Sequence, residues 1–415
     1  APSRGLGDVY KRQIICSALP LAACETQYLG GSRDTRWEKD LNYLQNALPQ
    51  KHVDAFSKIS ENNFNSEMEN LKNYISKLND DEITAEIYRI TASLGDSHTS
   101  AYKKPDHVYP FEFYYFKDGI YVINTTTQYK RALYGKLLKI GDMDVEKVKE
   151  HILPLIVKDN YAMIKKSLPK YLMNADILHG LKIVNPAKST VFTFKDIHGN
   201  IFDLKVNSQS AEDFKNKFIA AGKPDSSYPL YRQKSNLNYW YEYVENKKLL
   251  YFKYNKCEEE ENESMEDFTN KMLKFMNTHP VDKFVIDMRN NPGGSDKYMN
   301  PIIQWIKSNK LNNKDRLFVI TGRATFSSAL INLVQLRDET NASFVGEETS
   351  GKPNHFGAVR TFDLPNSKIS IQYSTQFNRI SRDNDNTFSP DKIVEISIGD
   401  YIDKKDPVLN YITNK

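Results

Sequence analysis

"VIDMRNNPGGSD", Val285–Asp296, sets an apolar β-branched run against a loop of Asn290, Asn291, Pro292, Gly293 and Gly294. Two consecutive glycines let backbone N–H groups turn toward a ligand without a Cβ in the way. Taken alone, the stretch fits a plain turn equally well. Its neighbours decide the fold. "LLYFKY" reads as a strand, "DFTNKMLKFM" as a helix, "KFVIDM" as a strand and "KYMNPIIQWI" as a helix. "RLFVIT", "SALINLVQL" and "SFVGE" continue the alternation as strand, helix and strand. Strands alternating with helices predict crossover connections and a mainly parallel sheet, hence an α/β core.

Function in such sheets gathers where strands end. Besides the glycine loop, two further stretches sit there. "RATFSSALINL", Arg323–Leu333, puts Ser327 and Ser328 between a turn and an apolar helix. Serine caps helices, but a serine at the positive end of a helix dipole can also be a nucleophile. "VGEETSGKPNHFG", Val345–Gly357, carries Lys352 and His355 in a glycine-flanked loop.

In this order the three stretches resemble the C-terminal processing (tail-specific) serine peptidases, a family that includes the tricorn core protease. The resemblance covers about residues 240 to 395 and extends more weakly to "LGDSHT" and the middle of the chain. The family's DLRxNPGG falls on Asp287–Gly294, its SAxE on Ser327-Ser328-Ala329-Leu330, and its GExTxGK on Gly346–Lys352. The fold implied is a crotonase/ClpP-like catalytic core with an N-terminal helical domain and a PDZ-like β-rich module. Counting the family's spacing back from Lys352 lands on Ser327, making it the nucleophile and Ser328 its capping neighbour. The Ser328 N–H and one from Gly293 or Gly294 would form the oxyanion hole, each donor typically worth roughly 3 kcal/mol in the transition state. Leu330 stands where the family often has Glu, which leaves the hydrogen bonding around the nucleophile open.

The resemblance offers two bases. Processing peptidases use a Ser–Lys pair, which points to Lys352 with its pKa lowered by burial. The tricorn branch uses a histidine preceded by serine, matched by Ser97-His98, and a histidine needs no large shift to work near neutrality. His98 is the favoured base. Its orienting acid is expected near "FSPDK", where Ser389 replaces a Glu and leaves Asp391.

The rest of the chain supplies the setting. Its 415 residues are enough for two or three domains. With 40% hydrophobic and 27% charged residues it falls in the soluble globular class. A net charge of +4, with no basic stripe, argues against nucleic acid. Three cysteines, Cys16, Cys24 and Cys257, are too few for a disulfide framework. "APSRGLGDVYKRQ" resembles translated adapter sequence and is set aside. Behind it, a basic pair, a short apolar run and Leu21-Ala22-Ala23-Cys24 resemble a bacterial lipobox with Cys24 as the lipidated residue.

The expected organisation is a leader and linker over 1–33, a helical domain over 34–105 and the PDZ-like module over 106–208. A linker follows over 209–237, then the peptidase core over 238–400 and a C-terminal tail over 401–415. Leucines at spacings of three and four mark the helices, with Asp80 and Asp81 as caps before "EITAEIYRITASL". "FEFYYF", "IYVIN", the segment "YGKLLKIGDMDVEKVKEHI" and the hairpin around His198-Gly199-Asn200 mark the β-rich module.

The expected protein is an exported, lipid-anchored bacterial serine endopeptidase acting on unfolded or extended polypeptide. Neither HExxH nor a P-loop occurs, so no metal or nucleotide cofactor is expected. Membrane contact would come only through the lipid. The alternatives are a non-proteolytic ligand- or peptide-binding protein on the same scaffold, and a crotonase-like acyl-CoA enzyme, against which the export signal counts.

Overall fold

The structure is a computed structural model that describes residues 31–185, 189–214, 217–219 and 225–415. Cys16 and Cys24 lie outside these residues. Six strands form the central sheet, in the spatial order Tyr239–Val244, Leu249–Tyr254, Lys283–Asp287, Leu317–Thr321, Ser343–Gly346 and Lys392–Ile393. The first pair is antiparallel and every later pair is parallel. Helices Met265–Thr278, Asn300–Lys307 and Ser328–Glu339 make the crossovers between successive parallel strands. Because the strands advance in one direction, crossovers of the usual right hand place these helices on one face.

Alternation along the strands accounts for both faces. Leu250, Phe252, Phe284, Ile286, Leu317 and Val319 pack with Phe268, Met272, Ile302 and Leu333 of the crossover helices. Leu249, Tyr251, Val285, Phe318 and Ile320 face the other way and meet Val408 and Ile412. These last two belong to helix Pro407–Thr413, so the expected tail at 401–415 is a docked helix that covers the second face of the sheet. Its short length and single strong apolar pair hid it among polar residues.

The β-rich module is an antiparallel sheet in the order Phe111–Phe116, Gly119–Thr125, Lys136–Ile140, Ser189–Lys195 and Ile201–Asn207. Helices Val145–Ile152 and Tyr161–Met173 pack on it around Phe111, Val122, Ile140, Leu168 and Phe192. Gly141, at φ 58°, makes the tight turn after Ile140, a left-handed position that favours glycine.

Helices Arg33–Lys51, Glu61–Tyr74 and Asp80–Ser93 form the N-terminal unit. The third is capped by Asn79, which forms a capping box with Glu82, rather than by Asp80 or Asp81. Its core is shared. Leu41, Leu44, Phe64 and Ile87 pack against Leu364, Ile369, Ile371 and Tyr373. Those residues lie in and beside the hairpin His355–Asp363 and Ser370–Asn378, which pairs with Ser100–Tyr102. The segment carrying Ser97 and His98 is thus stitched to the end of the core, more than 250 residues later in the chain.

Candidate active site

Ser327 is the residue from which helix Ser328–Glu339 springs. Its backbone sits at φ 54° and ψ −129°, a conformation that costs a non-glycine residue strain, and its side chain makes no capping bond. The turn is held from several sides. Thr325 Oγ1 donates to Met288 O at 2.8 Å, and Phe326 N–H donates to Asn291 O at 3.0 Å. Arg323 binds both Glu347 oxygens, at 2.6 and 2.8 Å, and also donates to Tyr115 O in the β-rich module.

The glycine loop lies against this turn. A Cβ on Gly293 would sit 2.8 Å from Ser327 Cβ and 3.0 Å from Ser328 N; one on Gly294 would sit 2.1 Å from Cys257 O. Both glycines also have positive φ, at 108° and 137°. No side chain fits either place. The two expected donors differ. Gly293 N–H is taken by Asn291 Oδ1 at 2.9 Å, whereas the N–H groups of Gly294 and Ser328 have no hydrogen bond among the described residues. Ser328 Oγ donates to Gly294 O at 2.7 Å, tying the helix start to the loop. The two serines therefore separate: Ser328's hydroxyl is engaged, and Ser327's makes no capping bond.

His98 is buried, 5% exposed, with its ring stacked on Phe326 at 4.3 Å between centroids and on His355 at 5.3 Å. Neither ring nitrogen has a hydrogen-bond partner among the described residues. The imidazole is therefore beside the residue preceding Ser327 but not bonded to Ser327. Burial pushes its pKa down to about 4, helped by His355 and Lys166 and opposed by Asp96. Asp96 holds the backbone here, accepting His98 N–H at 2.9 Å and bonds from Thr99, Ser374 and His52. Burial would raise its carboxyl, but these hydrogen bonds outweigh that and hold it at about 2.

Asp391 does not orient the imidazole. Its carboxylate accepts Phe344 N–H at 2.8 Å, at the far end of strand Ser343–Gly346 from Gly346. Ser389 Oγ donates to Glu348 at 3.0 Å. Lys352 forms an ion pair at 2.6 Å with buried Asp159, whose carboxyl burial pushes upward while Lys352 and Ser97 pull it down. The Lys352 amine is thus engaged by Asp159, on the segment before helix Tyr161–Met173. Leu330 is fully buried in the core, so an apolar contact occupies the place of the family's Glu.

Sequence reasoning missed Lys166. Its amine reaches in from helix Tyr161–Met173, 3.1 Å from Ser350 Oγ and 4.2 Å above the Phe326 ring. Burial, then Lys170, lowers its pKa to about 8. Lys166 and Lys170 lie one turn apart and help line a cavity of about 450 Å³ between the β-rich module and the strand ends, with Phe113, Tyr114, Met173 and Arg323. Nothing in "YAMIKKSLPKYLM" marks one lysine among three; only the packing of that helix against the core does. No group of three or more His, Cys, Asp or Glu side chains is placed to hold a metal ion among the described residues.

Comparison with known proteins gives the same direction. Mature CPAF complexed with lactacystin has a TM-score of 0.62 at 13% identity, over 92% of this chain and 97% of that one. Mature CPAF has a TM-score of 0.60 at 12% identity, over 91% and 96%. The tricorn protease follows at a TM-score of 0.43 and 13% identity, over 92% and 37%. At these identities the likeness to CPAF is one of fold. No curated protein matches the sequence. Residues 248–315, which hold the glycine loop, match the model of peptidase family S41, and this match supports a peptidase role.

Proposed function

We propose that this chain is a serine endopeptidase that cleaves unfolded or extended polypeptide through an acyl-enzyme on Ser327. One observation carries the reading. The Ser327 side chain makes no capping bond on its strained backbone, and two N–H groups, of Ser328 in the same turn and Gly294 in the loop packed on it, are unengaged among the described residues. In the reaction His98 takes the Ser327 proton as Oγ attacks the scissile carbonyl, and the two N–H groups bind the resulting oxyanion. His98 then protonates the leaving amine, and water repeats the sequence on the ester. The cavity between module and core, which Gly322, Arg323 and Ala324 line ahead of the Ser327 turn, would hold part of the substrate. The β-rich module, read as PDZ-like, binds peptide by adding a strand to its sheet edge.

A fluorophosphonate probe tests the reading directly. Labelling of the wild type that Ser327→Ala abolishes supports it; absence of labelling in active-site titration overturns it. The unbonded state of His98 favours one alternative, a peptide-binding protein without proteolysis on the same scaffold. That protein would bind extended peptide yet leave both probe and casein untouched.

The lipobox extends the proposal to location: an extracytoplasmic bacterial protein held to the membrane by lipid on Cys24. Among the described residues no helix is long and apolar enough to cross a membrane. In a bacterial host the protein should partition into detergent, and Cys24→Ala should release it or leave the leader uncut. Unchanged processing and partition in that variant would refute the anchor.

A further inference from the structure

Helix Pro407–Thr413 reaches the glycine loop through a buried pair of charges. Asp406 is the helix N-cap, its Oδ1 accepting the N–H groups of Val408 at 3.0 Å and Leu409 at 3.1 Å. The same carboxylate receives Arg289 end on, Nη1 to Oδ1 at 3.2 Å and Nη2 to Oδ2 at 2.9 Å. Both side chains are almost fully buried, 7% and 4% exposed. Such a bidentate pair fixes the plane of the guanidinium as well as its position.

Arg289 stands at the root of the loop. Its Nε meets Asp287 at 2.9 Å, and its backbone N–H donates to Asp287 Oδ1 at 3.0 Å. Asp287 also binds Lys253, whose amine donates to Asn290 Oδ1 at 2.9 Å. Asn291 follows, accepting Phe326 N–H on its carbonyl and Gly293 N–H on its side chain. Every residue from Asp287 to Asn291 is therefore held by a hydrogen bond that starts from this cluster or from the Ser327 turn, and Asn291 in turn holds Gly293. Two carboxylates face two cations there. Removing Asp406 would leave Lys253 and Arg289, both buried, sharing the single carboxylate of Asp287.

We propose that Asp406 is a positioning residue for catalysis: by clamping Arg289 it sets the glycine loop, so that Gly294 N–H points where the oxyanion forms. The C-terminal helix is then part of the active-site frame. This rests on the serine peptidase reading. It concerns an N–H that matters only once charge develops, so its loss should lower kcat and leave KM in place.

The test compares Asp406→Asn, Asp406→Glu and Ile412→Ala in the full chain. Ile412 is fully buried on the same helix, and its side chain packs in the apolar cluster on the second face of the sheet, so its variant reports helix docking. Active sites are counted by fluorophosphonate titration, and kcat per active site, KM, and the Ki of a peptide aldehyde are measured. Asp406→Asn should lower kcat at least tenfold with KM unchanged and weaken the aldehyde by a similar factor, because its adduct carries the oxyanion. Asp406→Glu should recover part of that loss. Ile412→Ala should lower Tm while keeping kcat per active site. Equal kcat in Asp406→Asn and wild type, or an equal fall in Ile412→Ala, overturns the proposal.

Amide exchange over residues 288–295 reads the clamp without activity. Faster exchange in Asp406→Asn than in Ile412→Ala supports it, and equal exchange overturns it. A wild type that neither labels nor turns over sinks the peptidase reading alone, and the exchange comparison then decides the clamp. If Asp406→Asn does not fold, the same comparisons are made on Asp406→Glu.

Discussion

The imidazole of His98 lies face to face with the ring of Phe326, centroids 4.3 Å apart and planes inclined by 21°. Phe326 immediately precedes Ser327. The proposed base and nucleophile are therefore carried beside each other, and the proposed proton transfer requires the imidazole to turn from the phenyl face toward Ser327 Oγ. Such tightening on substrate binding is common, because hydrogen bonds at active sites are often long or absent without ligand. A buried histidine whose two nitrogens have no partner among the described residues is costly to keep, a cost that fits the proposed role as a base held neutral.

The pH profile separates the two groups beside Phe326. With His98 as base, kcat/KM should hold down to a limb near pH 4, since burial lowers its pKa to about 4. With Lys166 as base, the limb should stand near pH 8. His98→Ala should cost about 10²- to 10⁴-fold in kcat, and Lys166→Met far less. A limb near 8 together with an inactive Lys166→Met would transfer the role to the lysine.

Lys352 should prove structural. In Lys352→Met the buried Asp159 loses its ion-pair partner, for a destabilisation of about 2 kcal/mol, while kcat per active site changes little. Thermal unfolding and titrated kcat check the two halves separately. An inactive but fully stable Lys352→Met would return this chain to Ser–Lys catalysis.

His98 also predicts a direction for stability. Its folded pKa, about 4, lies below the unfolded value of about 6.5, so between these pH values the unfolded chain binds more protons. Stability from this group is complete above about pH 6.5 and is lost as pH falls toward 4, by roughly 3 kcal/mol in all. Replacing the ring with an apolar one, His98→Phe, should flatten the pH dependence of Tm across that window. An unchanged slope would show that His98 is not buried neutral.

Much of this was legible in the residues, for a local reason. The alternation from Leu249 to Gly346 reflects strand and helix periods, and these are set by near neighbours along the chain. The hairpins at Lys117-Asp118-Gly119 and His198-Gly199-Asn200 carry their own turn chemistry. Ser327 could be told from Ser328 only by the spacing of the family the sequence resembles; in the structure the Ser328 hydroxyl bonds Gly294 O and the Ser327 side chain makes no capping bond. What escaped was distant pairing. Asp159 with Lys352, Lys166 with Ser350 and Asp406 with Arg289 join residues on different elements, and no periodicity encodes such meetings. Asp391 failed for the same reason: proximity to a motif in sequence did not bring its carboxylate to the imidazole, because Phe344 N–H holds it.

Substitution at Ser327 should separate chemistry from strain. Ser327→Ala removes the attacking oxygen and should lower kcat by at least about 10³-fold, leaving whatever binding and the oxyanion donors supply. It keeps the Cβ, and with it the cost of holding φ at 54° and ψ at −129°. Such a backbone costs an L-residue on the order of 1–3 kcal/mol, and glycine adopts it freely. Ser327→Gly should therefore be as inactive as Ser327→Ala yet more stable than it. The gain is about 1 kcal/mol after glycine's greater freedom in the unfolded chain is set against the relief of strain. Paired thermal or chemical unfolding of the two variants measures the difference. Equal stabilities would mean that Ser327 carries no strain, and wild-type casein cleavage by either variant would remove Ser327 from the reaction.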